Sequence, residues 1–385
     1  MIMNIHHGND LEKKIIELSD SLNTPFYIYE TNKIKQLCRQ FMDINYDLKS
    51  IHFAMMANSN REFLKVIQQE GLNVFVNSVI HLDTALSIGF KPEQIIFAAS
   101  AMNDETMKLT RNHGVYVFLD SLGQFNKWNE LFPQGNVGIR CNIGELVDPK
   151  YTTAGYFIGE KSRLGLSLDS IEKLKGNANI NGLHVYVGTN ITDVDYFFKC
   201  YQQIIKLAEW FPGIEYIDLG GGFGIGEEQY VQFDMKTYGM KVTDLMNKMN
   251  KNLGRKIKLI LEPGRIVGAE SGYFVGRVVD VKHRNNRQLI GINASVVQFP
   301  RPLFYPDSAS HPVQIIHANG TIQSIENVKS IIYGCSTYSR DFLAKDVELP
   351  NVYPGDIVVL GHAGCYCASA HTNFLGFPKA KEIFI

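Results

Sequence analysis

The sequence has little that would mark a membrane, secreted or nucleic-acid-binding protein. It contains no apolar run of 18 residues, and its N-terminal segment MIMNIHHGNDLEKK lacks a cationic, apolar signal. Its 38 Lys and Arg residues are matched by 39 Asp and Glu residues, which gives a formal net charge of -1 and no basic stripe. We therefore expect a cytoplasmic protein without a nucleic-acid or membrane partner.

Cysteine is also too sparse and too scattered to organise the chain. The six cysteines lie at positions 38, 141, 200, 335, 365 and 367. Cys365 and Cys367 are separated by one residue, too few for a zinc knuckle, and no second pair accompanies them. We expect no metal site.

The residues that are abundant form apolar, β-branched runs separated by amphipathic stretches. Such runs, alternating with helices, are typical of a parallel sheet covered by helices, and eight of them predict a (β/α)8 barrel. The runs are IHFAMMAN (51–58), NVFVNS (73–78), IIFAAS (95–100), VYVFLDS (115–121), VGIRCNI (137–143), GLHVYVG (182–188), YIDLGGG (216–222) and KLILEPG (258–264).

After Gly264 the pattern changes to strands without intervening helices. This pattern predicts a C-terminal antiparallel β domain, which FYIYE (26–30) could join. We place the barrel at residues 31–269 and the β-rich domain at residues 1–30 and 270–385. The segment 144–170 is long for a connection between barrel elements and is a candidate lid. The runs of the second domain are GYFVGRVVDVK (272–282), QLIGIN (288–293), VQIIHA (313–318), VKSIIYG (328–334) and DIVVLG (356–361).

Barrel enzymes place their chemistry at the carboxyl ends of the strands, and phosphate commonly binds after the seventh and eighth. Here these ends read Gly220-Gly221-Gly222 and Glu262-Pro263-Gly264-Arg265. Glycines let backbone N–H groups approach an anion, and an arginine adds a charged hydrogen bond. The alternatives are that the glycines only make a turn, and that Glu262 pairs with Arg265.

Polar residues also follow other runs, and two polar loops suit the rim of a site. His184 fits a satisfied core histidine as well as a functional one. The loops GCSTYSRD (334–341) and GHAGCYCAS (361–369) are glycine-rich and make poor core material. The remaining strand-end candidates are Ser78, Asp120, Asn142 and Tyr186.

Taken in order, these motifs resemble the pyridoxal-phosphate-dependent decarboxylases with an alanine-racemase-like barrel, the ornithine and diaminopimelate decarboxylase group. The resemblance runs nearly end to end. The segments that carry it are TPFYIYE (24–30), IDLGGGFGI (217–225), EPGR (262–265), RPLFY (301–305), DFLAKDVELP (341–350) and NFLGFPKAKEIFI (373–385).

The resemblance implies a role for each matching residue. The cofactor phosphate would bind at the glycine loop and Arg265, Glu262 would hold the pyridine nitrogen, and Arg301 and Tyr305 would face the substrate. Family members are commonly homodimers that share active sites, so Thr337 and Asp341 would serve the partner chain's site. The cofactor-binding set is Gly220, Gly221, Gly222, Glu262, Gly264, Arg265, Tyr366 and Thr189.

The sequence departs from the family where the reactive carbon of the cofactor would lie. Met56 occupies the position of the lysine that binds the cofactor covalently, and a thioether cannot replace an amine. Tyr186 replaces the histidine that stacks on the ring, Phe75 replaces an aspartate, and Thr337-Tyr338 replaces a Cys-Glu pair. A Lys→Met substitution made to trap a complex would explain Met56 alone, so we favour natural divergence.

Three interpretations remain open at this stage. The chain could be an enzyme that binds pyridoxal phosphate without a covalent bond and acts on an amino acid or amine by altered chemistry. It could be a catalytically silent relative that binds a partner or a metabolite. It could have no cofactor and use the cradle for a phosphorylated substrate. Lys161, in the 144–170 segment, is the one lysine we propose as a substitute for the missing amine.

Overall fold

The computed structural model describes residues 10–226, 232–318 and 327–385. Its strands are β1 (Phe26–Tyr29), β2 (Lys49–Ala54), β3 (Asn73–Val76), β4 (Ile95–Ala98), β5 (Tyr116–Leu119), β6 (Val137–Arg140), β7 (Ile180–His184), β8 (Tyr216–Asp218), β9 (Lys258–Leu261), β10 (Gly272–Arg284), β11 (Arg287–Ile292), β12 (Val313–Ile316), β13 (Val328–Tyr333), β14 (Phe342–Leu349), β15 (Ile357–Leu360) and β16 (Lys381–Phe384).

Most helices of the chain connect the strands of its barrel. They are α1 (Asp10–Ser21), α2 (Thr31–Met42), α3 (Arg61–Gln69), α4 (Val79–Ile88), α5 (Asp104–His113), α6 (Leu122–Leu131), α7 (Leu168–Glu172), α8 (Val194–Ala208), α9 (Met235–Leu253), α10 (Arg265–Gly268) and α11 (Arg301–Phe304). Among the described residues, no helix is both long enough and apolar enough to span a membrane.

The chain divides into two compact units. One consists of Lys35–Val267, and the other of residues 10–34 together with Gly268–Ile385. The domain boundaries expected from the sequence, at 30/31 and 269/270, stay a prediction, and residues 1–9 lie outside the described residues.

The first unit is a closed barrel of eight parallel strands, β2 to β9, in which β9 pairs with β2. Each of the eight apolar runs supplies one strand, so the predicted barrel is confirmed. Polar residues at the strand ends begin the following helices. Asn60 caps α3, Ser78 caps α4 and Ser121 caps α6, each by accepting backbone N–H bonds with its side-chain oxygen.

The second unit is an eight-stranded sheet whose central order is β12-β15-β10-β11-β13-β14, with β1 paired to β10 and β16. The predicted strands are present, and FYIYE joins this sheet as β1. The sheet is mixed and not purely antiparallel, because β11 pairs with β13, and β1 with β16, in parallel. Strands β14 and β16 were not anticipated.

The apolar cores of the two units are built from different elements. In the barrel, aromatic and aliphatic side chains fill the space between the strands. In the second unit, α1 packs its apolar face on the sheet through Leu11 and Ile15. The buried members of that second core are Leu11, Ile15, Phe26, Ile28, Val275, Ile316, Ile357 and Val359.

The barrel interior depends on glycine at one contact between neighbouring strands. A Cβ atom added at Gly182 of β7 would overlap the ring of Tyr216 on β8, which is buried. We therefore expect Gly182→Ala to lower the free energy of unfolding of the barrel by about 1–3 kcal/mol, the usual cost of overpacking a core.

Urea denaturation followed by circular dichroism measures this effect. Gly123→Ala is the matched control, because the nearest atom to its added Cβ is Ser121 Oγ at 3.8 Å. Equal denaturation midpoints for the two variants would contradict the predicted overlap.

Candidate functional site

The carboxyl end of the barrel is built in two layers, because successive side chains on a strand alternate in direction. The lower layer is apolar. Residues two positions further along the same strands form an ionisable upper layer: Asp120 follows Phe118, Asp218 follows Tyr216 and Glu262 follows Ile260. The lower layer consists of Phe75, Ile96, Ala98, Phe118, Tyr216 and Ile260.

The centre of the upper layer is a triad of His184, Asp218 and Glu262. All three are at most 5% exposed, and one donor or acceptor atom from each lies within 4.8 Å of the others. His184 Nε2 lies 3.4 Å from Glu262 Oε2. Neither ring nitrogen of His184 has a hydrogen-bond partner among the described residues. The interpretation of His184 as a satisfied core histidine is therefore wrong.

Burial controls the ionisation of the triad, since it disfavours charged forms. It raises the pKa of Glu262 to about 7, although a hydrogen bond with Asp218 and the charge of Arg140 act in the opposite direction. Burial also raises the pKa of Asp218 well above its ordinary value, and Glu262 adds to this effect. It lowers the pKa of His184 to about 4. The triad therefore has a neutral imidazole beside two carboxyl groups that retain protons unusually well.

Arg140, at the end of β6, provides the positive charge of this layer. Its Nε lies 4.0 Å from Asp120 Oδ1, and its guanidinium lies 6.0 Å from the centre of the Tyr186 ring. Asp120 also accepts hydrogen bonds from Ser100 Oγ at 2.7 Å and from the N–H of Gly165 at 2.9 Å. Asp120 therefore ties Arg140 and the 144–170 segment to the barrel.

The glycine loop lies against the ends of β7 and β9. Gly220 has a φ of 68° and Gly222 a φ of 93°, and a Cβ at either would collide with the carbonyl oxygens of Val185 or Gly188. The glycines therefore allow a tight backbone turn, which was one of the alternatives for this loop. In the described part of the chain, however, the N–H of the buried Gly221 has no acceptor. That donor is available to an anion.

Three further predicted phosphate ligands belong to this unit. Thr189 and Arg265 are half-buried and Gly264 is buried, and α10 begins at Arg265. His184 Nε2 is one close neighbour of Glu262, with 3.4 Å between it and Glu262 Oε2, and the alternative pairing of Glu262 with Arg265 stays a prediction. The roles of these three residues in phosphate binding stay predictions.

Met56 lies in the turn that follows β2. It is half-buried and packs on the apolar lower layer of the barrel. Phe75 belongs to that same layer, and its carbonyl oxygen accepts the N–H of Met55 at 3.0 Å. The Met56 side chain therefore lies among apolar groups, next to Phe75, which also departs from the family pattern.

The 144–170 segment contacts the barrel through Tyr186. The Phe157 ring meets the Tyr186 ring edge-on, with centres 4.9 Å apart. Asn142 holds the segment by accepting the N–H of Gly159 at 2.7 Å. Lys161 is exposed, and its ammonium lies 5.2 Å from the centre of the Tyr156 ring. The structure thus gives Lys161 a surface contact and provides no support for a role as the substitute amine.

In the second unit, the predicted substrate residues differ in burial. Arg301 is 7% exposed, and its Nη1 lies 3.2 Å from His311 Nε2. Tyr305 directly follows α11 and is exposed. Tyr366 is half-buried and has a φ of 57°, an uncommon conformation for a large side chain that often accompanies function. Their predicted roles remain untested.

The prediction for Asp341 needs correction. Its carboxylate is buried and accepts hydrogen bonds from Ser295 Oγ, from the N–H of Val296 and from both the N–H and Oγ of Ser336. A carboxylate satisfied in this way within its own unit shapes the loop and cannot extend towards another chain. Thr337, in the same loop, is exposed, and its role stays a prediction.

Three central residues were absent from the predicted site: Arg140, Asp218 and, as a functional residue, His184. Period-two alternation was the signal that could have identified them. Gly138 and Gly182 face the rings of Phe118 and Tyr216, so the residues two positions later also face the interior. The ligand atoms of the triad lie close enough together to hold a cation. A proton shared by its two carboxyl groups explains their closeness better, because each carboxyl group acts on the other as a hydrogen-bond partner.

A sequence comparison identifies the family. The model described as pyridoxal-dependent decarboxylase, pyridoxal binding domain, matches residues 31–269, more than half of the chain. The chain belongs to the pyridoxal-dependent decarboxylase family. Its barrel is therefore the pyridoxal-binding domain of such a protein, which the resemblance in the sequence predicted.

Curated members of this decarboxylase family match nearly the whole chain. The diaminopimelate decarboxylase of Methanothermobacter thermautotrophicus is 26% identical over 389 residues, which cover 96% of this chain and 88% of the relative. The probable chloroplastic diaminopimelate decarboxylase of Oryza sativa is 28% identical over 371 residues, which cover 91% and 73%.

Solved structures of decarboxylases share the fold. Diaminopimelate decarboxylase from Helicobacter pylori, complexed with L-lysine, superposes with a TM-score of 0.84 at 23% identity, covering 96% of this chain and 93% of that one. Lysine/ornithine decarboxylase from Vibrio vulnificus, complexed with putrescine, has a TM-score of 0.81 at 19% identity and covers 98% and 99%.

The raised pKa of Glu262 gives this decarboxylase relative a pH-dependent stability. Between the ordinary carboxyl pKa and about 7, the folded chain holds a proton that the unfolded chain releases, so stability falls as pH rises through this window. We expect Glu262→Gln to exceed the wild type in unfolding free energy by about 1–3 kcal/mol at pH 8, with the difference largely lost at pH 4.

Urea denaturation of both chains at a series of pH values measures the difference. The lowered pKa of His184 gives a slope of opposite sign, but both chains retain this histidine. Because Glu262 also helps to raise the pKa of Asp218, the difference between the chains reports the Asp218–Glu262 pair. A gap that is constant with pH would contradict the assignment.

Proposed function

We propose that the chain binds pyridoxal phosphate in its barrel without a covalent bond, and that it acts on an amino acid or amine by chemistry altered from ordinary decarboxylation. One observation carries this proposal. Adjacent strand ends present a buried N–H without an acceptor at Gly221 and a buried oxygen without a donor at Glu262 Oε1. These groups suit the two ends of a pyridine phosphate.

The phosphate end would use the glycine loop together with Thr189 and Arg265. Glycine is needed here because any Cβ at Gly221 would overlap the carbonyl oxygen of Glu262. The backbone can therefore approach an anion closely, and Arg265 would add a charge-assisted hydrogen bond.

The pyridine end would use Glu262. A carboxylate is the acceptor that a protonated ring nitrogen requires, because the pair brings together opposite charges in a buried site. When bound, pyridoxal phosphate supplies an electron sink for bonds at an amino-acid carbon. Arg140 would favour the charged form of Glu262, and Tyr186 would offer its ring for stacking.

The altered chemistry follows from Met56. A thioether can neither bind the cofactor aldehyde covalently nor move a proton, so binding would be reversible. The named structures of relatives contain L-lysine or putrescine, which supports an amine-bearing substrate class for this chain.

A second candidate function is a catalytically silent decarboxylase homologue that binds a partner or a phosphorylated metabolite. The apolar surroundings of Met56 favour it, because Phe75 belongs to the same layer and neither residue can take part in proton transfer. This candidate would retain the glycine loop but would not turn over an amine.

We also propose a homodimer, as in the family at large. The contribution of Asp341 to a partner's site is not part of this proposal, because its carboxylate is engaged within its own unit. Exposed Thr337 and Tyr305 remain the candidates from the second unit.

Arg265→Ala tests the phosphate end. Loss of one charged hydrogen bond should weaken binding of pyridoxal phosphate by about 1.5–3 kcal/mol, measured by calorimetric titration. Arg255→Ala, at an exposed arginine ahead of β9, is the matched control and should leave the affinity unchanged. Equal affinities for the Arg265 variant and the wild type would contradict the assignment.

Met56→Lys tests the reactive end. A half-buried lysine should have a lowered pKa and supply the free amine that attacks the aldehyde. The variant should turn yellow with pyridoxal phosphate, and borohydride should fix the label on residue 56. Decarboxylation should stay low, because Phe75 and Tyr186 are unchanged.

Met56→Leu is the control without an amine, and it should behave like the wild type and take no label after reduction. A wild-type label that peptide mapping places on Lys161 would contradict this proposal. Failure of every variant to bind pyridoxal phosphate would favour a phosphorylated metabolite instead.

A further inference from the structure

Asp218 connects the glycine loop to Glu262 through two hydrogen bonds in series. Its Oδ1 accepts the N–H of Gly220 at 2.8 Å. The carbonyl oxygen of Gly220 in turn accepts the N–H of Glu262 at 2.8 Å. One side chain therefore holds the first glycine of the loop, and that glycine holds the backbone of the residue proposed for the ring nitrogen.

The side chains of Asp218 and Glu262 also meet directly. Both are buried, an oxygen of one lies within 4.8 Å of an oxygen of the other, and hydrogen bonding between the two carboxyl groups contributes to both pKa shifts. As two carboxylates they would have no donor between them, and Asp218 Oδ2 finds none among the described residues. A proton on one carboxyl group supplies the donor and removes one of two buried like charges.

The surroundings place that proton on Asp218. Glu262 has a favourable neighbour for a carboxylate, because the charge of Arg140 lowers its pKa. At Asp218, burial and the neighbouring charge of Glu262 both disfavour ionisation, while His184 and the N–H of Gly220 act in the opposite direction. Asp120 is a further negative charge near His184, but it is paired with Arg140. Ionisation is thus easier at Glu262 than at Asp218.

We propose that Asp218 is a positioning residue that holds a proton, donates it in a hydrogen bond to Glu262, and so presents Glu262 as the acceptor for the ring nitrogen of a vitamin B6 phosphate. The same side chain fixes the glycine loop at the phosphate end. This inference rests on the proposed function, since it concerns how the site would hold a pyridine phosphate.

The probe is pyridoxine 5′-phosphate, whose alcohol cannot bind a protein covalently. Its absorbance reports ring protonation, so one titration series across pH gives both the dissociation constant and the pH at which the bound ring loses its proton. The chains compared are the wild type, Asp218→Asn, Asp218→Ala and, as an exposed control on α9, Asp244→Ala.

An amide at position 218 can still donate to Glu262 and accept from Gly220, whereas alanine can do neither. We expect Asp218→Asn to keep the affinity within about threefold and to retain the protonation midpoint of the wild type. Asp218→Ala should weaken binding about tenfold or more, and its midpoint should move towards that of the free ligand. Asp244→Ala should match the wild type.

Two results would overturn the inference. If Asp218→Asn lost as much affinity as Asp218→Ala, Asp218 would act as an anion and not as a donor. If Asp218→Ala behaved like the wild type, it would have no positioning role. Should the alanine variant fail to fold, the midpoint of the asparagine variant decides alone. If the wild type did not bind the probe at all, the proposed function would fail first.

Discussion

Two carboxyl groups buried side by side, those of Asp218 and Glu262, are the constraint around which the carboxyl end of the barrel is organised. Burying two such charges unpaired would cost several kcal/mol each. The charge of Arg140 reduces this cost, and the proton that we propose between the carboxyl groups would reduce it further. Because Asp218 also holds Gly220, the compensation extends into the backbone of the glycine loop. The charge balance of this site and the geometry of its glycine loop therefore depend on the same residue, Asp218.

The barrel was predictable because its eight strands are buried on both faces and appear as uninterrupted apolar runs. The second unit was harder to predict, since β14 reads as FLAKDVEL, with polar residues facing solvent, and β16 lies close to the end of the chain. A sheet described from local runs alone also gives no pairing direction, so the parallel pair β11 and β13 could not be foreseen. Pairing is set by contacts distant in sequence.

The predicted site was incomplete for a related reason. Motif spacing identifies residues at the ends of strands, such as the glycine loop and Glu262, but it assigns no partner to a buried charge. Asp341 illustrates the error in one direction: its sequence context suggested a group that extends outward, whereas four local donors satisfy it. Asp218 illustrates the opposite error, in which a central residue is overlooked. An aspartate that precedes a glycine loop is expected only to form hydrogen bonds within the turn, and its further role can be inferred only once its buried neighbours are known.

The departures at Met56 and Phe75 make physical sense as a pair. If the lysine of the family were lost alone, an aspartate at position 75 would lie near an apolar layer without its cation, and this would be unfavourable. With both replaced by apolar side chains, the ends of β2 and β3 lose one charge of each sign and become continuous with the lower layer of the barrel. Asp218 ends β8 and is followed by the glycine loop, Glu262 follows β9, and Arg140 ends β6, so their charge balance does not depend on residue 56. The end of the site that would grip phosphate and ring nitrogen can therefore persist while the reactive end diverges.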